Sequence, residues 1–466
     1  MKERFFYERF TVEKVLCGSF SLYEKNASFE FITSSSLEAD ENSLFAALTG
    51  TSDGHMYIRH ALQKGASFIA ERNNPYYMKL SSAEKKKGIL VDSTRNALQA
   101  LGQFHRSRFS PLVIAVTGSS GKTTTKELIA GMLKFLGAEL VFTEKNYNNE
   151  IGAPFTVFKL NEKTKAAVFE LGMNHKGEIE RLSQMTKPDI ALVTNVGPAH
   201  IEFLGSLKNI ASAKAEICAG MNGGTLFIPD DVLYPEEFYE SAARQNVTVK
   251  TFGMDENSHL KNIQDIGEKG FSFSIGKSSV LWPMPGKRLL KNVSGAVSAV
   301  TMAGVQEADI AAGISEYQAE GMRGIIEKNF FTVLNDCYNA NSDSVKSSLE
   351  AAKQISEKRK VYAVLGDMKE LGEFSKGFHE ETGKFAAEIE LNGLIGFGTD
   401  SEYTVSEFKR NSPRAEFAFC RNDSDESCSE IAEFLKQNVP ENSVILVKGS
   451  RSMKMERITK KLQEIK

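Results

Sequence analysis

An α/β fold spread over several domains is what this sequence predicts, on three observations. Pro111–Leu133 reads as strand, glycine turn and helix: Leu112–Val116 is an unbroken apolar run, Thr117–Thr123 reads TGSSGKT, and Leu128, Ile129, Met132 and Leu133 recur at helical spacing. Further apolar runs alternate with helical segments along the chain, the pattern of parallel strands joined by right-handed crossovers. Finally, 466 residues exceed what one ordinary core organises, so about two to four domains are expected.

Composition narrows the class. With 41% hydrophobic and 25% charged residues the chain reads as soluble and globular. A formal charge of -3 gives no sign of a surface for a polyanion, so no nucleic-acid partner is expected. Cys17, Cys218, Cys337, Cys420 and Cys428 are scattered and lack a C-x-x-C pair, which argues against a disulfide framework or structural zinc. MKERFFYERF at the start is charged and lacks the apolar core of a signal peptide. No run approaches the ~18 apolar residues of a membrane span. A cytoplasmic monomer with no membrane insertion is the expectation.

The first domain is placed at 1–108 as a small α/β unit. Phe29–Ser36 is a strand ending in serines, and Ser43–Leu48, Ala66–Ala70 and Ile89–Val91 are further apolar stretches. Gly50–His55, GTSDGH, reads as a loop turning at Asp53 and Gly54, before a helix over Met56–Lys64. Asp92–Thr94 caps a helix over Asn96–Phe104. His55 is either a substrate contact or a solvated loop residue. His105–Pro111, HRSRFSP, is polar, basic and closed by proline, as linkers often are.

The central domain, 109–314, contains the glycine loop. Gly118 and Gly121 permit a tight turn that aims N–H groups at one point, and the helix start adds more N–H groups and a favourable dipole. Lys122 supplies a positive charge for a β- or γ-phosphate and Thr123 a hydroxyl for Mg²⁺. The loop is a shortened variant, since Val116 stands where the usual pattern opens on glycine. Nucleoside triphosphate binding is the reading. Thr143–Pro154, TEKNYNNEIGAP, is an irregular polar loop. Glu170 closes the strand Ala167–Glu170, on the side where open parallel sheets hold ligands, and is a candidate Mg²⁺ ligand. His200 follows the strand Asp189–Thr194, where it would ligate metal or bind an oxygen of the reacting groups. Lys214 lies on a helical pattern over Leu207–Ile217. Gly253–Pro285 reads as an antiparallel appendage on the main sheet, Trp282 as a packing residue, and Leu290–Ala303 as a helix.

The third domain, 315–466, repeats the alternation. Phe330–Leu334 is a strand, followed by NDCYNANSDS at Asn335–Ser344, where Asp336 is a partner for a ribose, an amine or a phosphate-bound water. A helix over Val345–Ile355 begins near Ser342 or Asp343. Lys360–Leu365 opens on GDMKELG at Gly366–Gly372, and His379 follows on a helix. Gly393–Phe397, Ala415–Phe419 and Ser443–Val447 are strands, and a helix runs from Met453 to about Ile465. Lys448 and Arg451, in KGSR, form an anion pocket for a carboxylate or a phosphate.

Together these motifs resemble the Mur ligases of peptidoglycan synthesis over essentially the whole chain. TGSSGKTTTKE (Thr117–Glu127), NYNNEIG (Asn146–Gly152), ELGMNHKGEI (Glu170–Ile179), TNVGPAHIEFLGS (Thr194–Ser206), AKAEI (Ala213–Ile217), DCYNANSDS (Asp336–Ser344), GDMKELGE and KGSRSMKME carry the resemblance. It implies a three-domain architecture: a small N-terminal α/β domain for a UDP-sugar substrate, a central P-loop-like parallel sheet for ATP, and a Rossmann-like C-terminal domain that binds D-alanyl-D-alanine and closes over ATP. Three positions depart from the family. Ser342 replaces a proline. The linking helix, usually HNxxN, reads Lys291, Asn292, Val293, Ser294, Gly295. Ser34-Ser35-Ser36 stands where the first domain usually has Asp-Ser-Arg or Asp-Thr-Arg.

The resemblance implies an ATP-dependent amide ligation through an acyl phosphate, with UDP-N-acetylmuramoyl-tripeptide as acceptor of D-alanyl-D-alanine. It assigns Gly118, Ser119, Ser120, Gly121, Lys122, Thr123, Thr124, Asn292, Asp336 and Asn339 to the nucleotide. Thr123 and Glu170 are assigned to one Mg²⁺, His200 and a carbamylated Lys214 to a second, and Asn148 and Asn149 to the γ-phosphate or intermediate. Ser35, Ser36, Asp53, Gly54, His55, Lys448 and Arg451 are assigned to the substrates. Another Mur-type or folylpolyglutamate-type ligase is the rival within the class. A non-ligating ATP-binding regulatory module is the rival outside it. Diaminopimelate, lysine and ornithine stay open as third residue of the tripeptide.

Overall fold

In the computed structural model, which describes residues 1–16, 28–50, 52–137, 139–319 and 321–465, the chain forms three α/β domains, each built on its own sheet. Cys17 and Thr51 lie outside the described residues.

The first sheet runs Lys2–Glu8, Ser28–Thr33, Ser43–Ala46, Ser67–Glu71, Gly88–Val91, antiparallel at the first pair and parallel thereafter. Its faces feed two cores: Leu44 and Ala46 pack on one side, Phe45 on the other. The N-terminal strand has no counterpart in the sequence reading, because the run Phe5-Phe6-Tyr7 hides its period of two. Phe5 and Tyr7 point inward while Phe6 is exposed. Ser93, within the expected Asp92–Thr94 cap, starts a helix over Thr94–Arg106, two residues longer at each end than expected.

The central sheet is wholly parallel in the order Thr248–Phe252, Thr225–Pro229, Ile190–Val193, Leu112–Thr117, Thr164–Glu170, Glu139–Phe142. Leu112–Thr117 shows why its sequence is unbroken apolar: Val113 and Ala115 enter one core, Ile114 and Val116 the other. The expected appendage is a separate three-stranded antiparallel sheet, Lys261–Asp265, Phe271–Ile275 and Ser278–Trp282. Trp282 is fully buried in it, with its ring centroid 4.8 Å from that of Tyr317.

The third sheet runs Ile325–Lys328, Thr332–Asn335, Val444–Lys448, Val361–Gly366, Gly393–Phe397, Phe417–Arg421, antiparallel only at the first pair. Asn341, rather than Ser342 or Asp343, caps the helix Ser342–Ser356, because its carboxamide accepts from Ser344 N. Among the described cysteines all four are free. Among the described residues no helix is long and apolar enough to cross a membrane.

His105–Pro111, read as a linker, begins as a buried joint. The helix Thr94–Arg106 runs into it. His105 bridges the Tyr7 hydroxyl and the Leu160 carbonyl, each at 2.9 Å. Arg106 donates to the carbonyls of Thr186 at 2.8 Å and Phe109 at 2.6 Å. Backbone carbonyls and the Tyr7 hydroxyl satisfy both polar side chains, so polar composition here does not mean solvent.

Candidate functional site

Strand register decides where the chemistry-bearing side chains emerge. Val116 pairs with Glu170 and Thr117 with Val193. The glycine loop therefore leaves the sheet between the Glu170 carboxylate and the Thr194–Asn195 step. In the third domain Asn335 pairs with Val447, which places Asp336 beside Lys448 one residue further on. These two sets of strand ends line one cleft of about 1170 Å³.

On the central wall, Gly118 and Gly121 are positions that only glycine fills. Their φ angles are +150° and +76°, and a Cβ would lie 1.8 Å from Thr194 Oγ1 or 2.2 Å from Asn292 Nδ2. Ser119 and Ser120 line the cleft, but their N–H groups already donate to Asn195 Oδ1 at 3.0 and 2.9 Å. The donors left for a phosphate are those of the helix start, from Lys122 through Thr124, whose N–H groups have no partner within the helix. Lys122 Nζ donates to the Gly118 carbonyl at 2.7 Å. Burial lowers its ammonium below the ordinary lysine range; the Glu170 carboxylate opposes that and Arg323 adds to it. Asn292 sits over the loop against Gly121 from the helix Lys287–Met302, while Lys291 pairs with Asp230 and Asp231, each at 2.5 Å.

Glu170 is the natural cation ligand. Its Oε1 accepts from Asn148 Nδ2 at 2.7 Å, and its Oε2 is buried without a partner. A buried anionic oxygen lacking any donor is costly unless a cation completes it. Mg²⁺ takes one or two carboxylates with phosphate oxygens and water, so Glu170, which lines the cleft together with Thr123, fits that ion. Asn149 lines the cleft, yet its Oδ1 accepts from Ile151 N at 3.1 Å and Gly152 N at 2.9 Å, which makes that oxygen a helix-start brace.

No group of three or more His, Cys, Asp or Glu side chains suited to a metal occurs among the described residues. His200, at φ 61°, turns its Nδ1 to within 2.5 Å of Glu370 Oε2, without the alignment of a hydrogen bond. That pairing holds the Glu370 carboxyl below the usual range. Lys214 is buried behind the cleft wall, and burial, with Lys122 nearby, pushes its amine well down.

On the third-domain wall, Asp336 Oδ2 is held by Lys448 Nζ and by the Ser348 hydroxyl at 2.6 Å. Lys448 Nζ also donates to the Asn339 carbonyl at 3.0 Å. Lys448 is thus a buried brace for Asp336 and not an open anion pocket. Arg451 lies outside the cleft lining, forked onto Glu456 with both contacts at 3.0 Å. The two cations do not converge, because the turn after Val447 sends them to different sides. Asp336 and Asn339 do line the cleft.

The first-domain candidates stand apart from it. Ser35, Ser36, Asp53, Gly54 and His55 are all absent from the cleft lining. Ser35 N donates to Thr33 Oγ1, and Ser36 Oγ bonds His60 Nδ1. His55 is fully buried: Nδ1 donates to Asp53 Oδ1 at 2.6 Å and Nε2 accepts from Glu71 N at 3.0 Å. Gly54 is required because a Cβ would meet the Leu48 carbonyl at 2.5 Å. This loop is a structural corner, with His55 as its pin.

Several cleft residues were missed in the sequence. Arg323 stacks 3.5 Å over the Tyr338 ring. Asp343 presses its carboxylate against Gly197, where a Cβ would lie 2.1 Å from Oδ2, and burial raises its pKa. Asn195 follows directly on a strand end, the one signal that would have found it.

Comparison with known proteins agrees with this geometry. Residues 116–300 match the family model described as the Mur ligase middle domain, and 322–451 that described as the Mur ligase, glutamate ligase domain. The UDP-N-acetylmuramoyl-tripeptide--D-alanyl-D-alanine ligase of Bacillus subtilis (strain 168) is 32% identical over 437 residues, 91% of each chain. A crystal structure of MurF from Acinetobacter baumannii superposes with a TM-score of 0.86 at 26% identity, covering 99% of this chain and 100% of that one. The MurF ligase of Thermotoga maritima in complex with ADP gives 0.79 at 28% identity, covering 93% and 97%.

Proposed function

Because the chain belongs to the Mur ligase family, ATP-dependent amide ligases of peptidoglycan precursor synthesis, we propose that it joins D-alanyl-D-alanine to UDP-N-acetylmuramoyl-tripeptide. The observation that carries this reading is the meeting of two walls. The glycine loop and Glu170 face DCYNANSDS across one cleft, with Asp336, Tyr338, Asn339, Asn341, Asp343 and Ser344 all lining it. A regulatory nucleotide switch needs the first wall alone; a ligase needs room for acceptor and amine as well.

In the proposed reaction the C-terminal carboxylate of the tripeptide attacks the γ-phosphorus of ATP. A new P–O bond forms, the β–γ bridge breaks, and ADP leaves. The dipeptide amine then attacks the acyl carbon, inorganic phosphate departs, and the ammonium proton passes to solvent. Lys122 and the helix-start N–H groups hold the phosphates, Asn148 orients Glu170, and Asp336, braced by Lys448, meets the nucleotide from across the cleft. Glu170 and Thr123 would hold Mg²⁺, which supplies charge neutralisation between two anionic reactants. Burial, with Lys122 nearby, lowers the Lys214 amine, which favours addition of CO₂: its nitrogen would bond the carbon, a proton would leave to water, and an anionic carbamate would remain. His200, paired with Glu370 at the domain contact, and Lys214 would hold a second Mg²⁺. The protein works in the cytoplasm as a monomer.

The test is phosphate release from ATP and Mg²⁺ with the UDP-tripeptide, with and without D-alanyl-D-alanine, while the product is weighed by mass spectrometry. Release that needs both substrates and matches pentapeptide one for one is the expected result. Release indifferent to the dipeptide, without a mass gain, refutes the ligase reading.

A further inference from the structure

A second cavity, of about 410 Å³, adjoins the cleft between the first and central domains. Its charged lining is Arg95, Glu71, Glu150 and Arg181, and two of these, Arg95 and Glu150, line the main cleft too. Glu150 is buried between the guanidiniums: Arg181 Nε donates to its Oε1, and Arg95 lies 3.6 Å from its Oε2. Both arginines keep further N–H donors, and their side chains are 48% and 44% exposed toward the cavity and solvent. The cavity therefore offers two cations and two anions side by side.

Its place relative to the reacting atoms is set by the chain itself. Glu150 lies two residues beyond Asn148, the residue bonded to Glu170, and two residues of extended chain span at most about 7 Å. On the ligase reading above, on which this inference rests, the carboxylate activated beside Glu170 belongs to the third residue of the tripeptide. The side chain of that residue starts one bond away. A four-bond extended carbon chain reaches about 5 Å, and Arg95 and Glu150 line the cleft and the charged cavity alike, so a side chain leaving the reaction centre on that side runs toward this cavity.

We propose that Arg95, Glu150 and Arg181 read the end of the third residue's side chain, and that they select a zwitterionic end, an ammonium and a carboxylate on one carbon, as in diaminopimelate. The ammonium faces Glu150 and Glu71, and the carboxylate takes the free N–H groups of Arg95 and Arg181. A lysine or ornithine end brings an ammonium alone and leaves the N–H donors of both guanidiniums unmatched. Discrimination comes from those unmatched donors.

The experiment compares kcat/KM for the UDP-tripeptides ending in meso-diaminopimelate and in L-lysine, by phosphate release and product mass, in the wild type, R95Q and R181Q. Both arginines are half exposed, so the variants are expected to fold; unchanged ATP affinity checks this. The wild type is expected to favour diaminopimelate by ~10-fold or more, and each variant to cut that ratio ~10-fold. Equal use of the two tripeptides, a preference for lysine, or an unmoved ratio in both variants overturns the assignment while leaving the ligase reading intact. Absence of product from either tripeptide overturns the ligase reading, and this assignment with it.

Discussion

The cleft is bordered by two domain joints of opposite character. Between the first and central domains the joint is buried and built on backbone acceptors. His105 ties Tyr7 to Leu160, Arg106 is capped by the carbonyls of Thr186 and Phe109, and Phe155 and Phe158 of the central domain complete the first domain's core. Between the central and third domains one apolar cluster is shared, the Glu202 N–H donates to the Glu370 carbonyl at 3.2 Å, and many of the polar ties are side-chain pairs. Arg288 meets Glu350 at 3.1 Å, Gln354 meets Asp265 at 2.8 Å, and His200 meets Glu370. A side chain locked onto buried carbonyls has no alternative partner; an exposed ion pair exchanges with water at little cost. The difference predicts that the third domain hinges over the catalytic floor more readily than the first, as a ligase that must admit and then enclose its reactants requires.

The largest effects should come from residues of the central domain that belong to neither joint. K122A is expected to lower kcat/KM by at least ~10³-fold, about 4 kcal/mol of transition-state stabilisation, with the melting temperature nearly unchanged. K214A should lose ~10²-fold or more, with partial return of turnover on adding a short carboxylic acid that would stand in for the proposed carbamate. If K122A instead unfolds the protein or loosens either joint, as judged by limited proteolysis, the separation of floor from joints is broken.

In the buried joint, R106A removes the donors to the Thr186 and Phe109 carbonyls. The expected cost is about 3 kcal/mol of stability, read from the urea midpoint, with freer proteolysis between the first and central domains. A cost under about 1 kcal/mol would place this joint in the same class as the other.

Acid sharpens the contrast. Burial pushes the His105 imidazole down to about 4 from 6.5. Between those values the unfolded chain carries a proton that the folded chain refuses, so the stability is whole above pH 6.5 and drains as the pH falls toward 4. From pH 7 to pH 5 the wild type should lose about 2 kcal/mol more than H105Q, whose side chain does not titrate. Identical pH profiles would show that the imidazole is not held in this environment.

These features were unequally legible in the sequence. The glycine loop and Glu170 could be read because fold and chemistry ask for the same residues at the same place: glycines where Thr194 and Asn292 crowd the backbone, a carboxylate where a buried strand ends. The buried joint could not be read, since His105 and Arg106 look like linker residues until the carbonyls that satisfy them are brought near. His55 failed the other way. A loop histidine looks functional until Asp53 and the Glu71 N–H are seen to occupy both ring nitrogens. The charged cavity was invisible because Arg95, Glu150 and Arg181 sit on segments that only the docking of two domains gathers.

The smallest effect is the most exacting test of the comparison. Arg288 and Glu350 are 45% and 36% exposed, so their attraction is screened and offset by the side-chain entropy of holding them together. A double-mutant cycle of R288A and E350A, read from urea midpoints, should give a coupling under about 1 kcal/mol, falling further in high salt. The same cycle read in kcat should exceed the stability coupling, because the pair helps set how the third domain meets the floor, and that arrangement matters only once substrates are bound. A stability coupling above about 2 kcal/mol would mean that the third domain is held as firmly as the first. Closure would then have to be driven by breaking a strong contact, and ATP binding would have to be weaker in the wild type than in the variants.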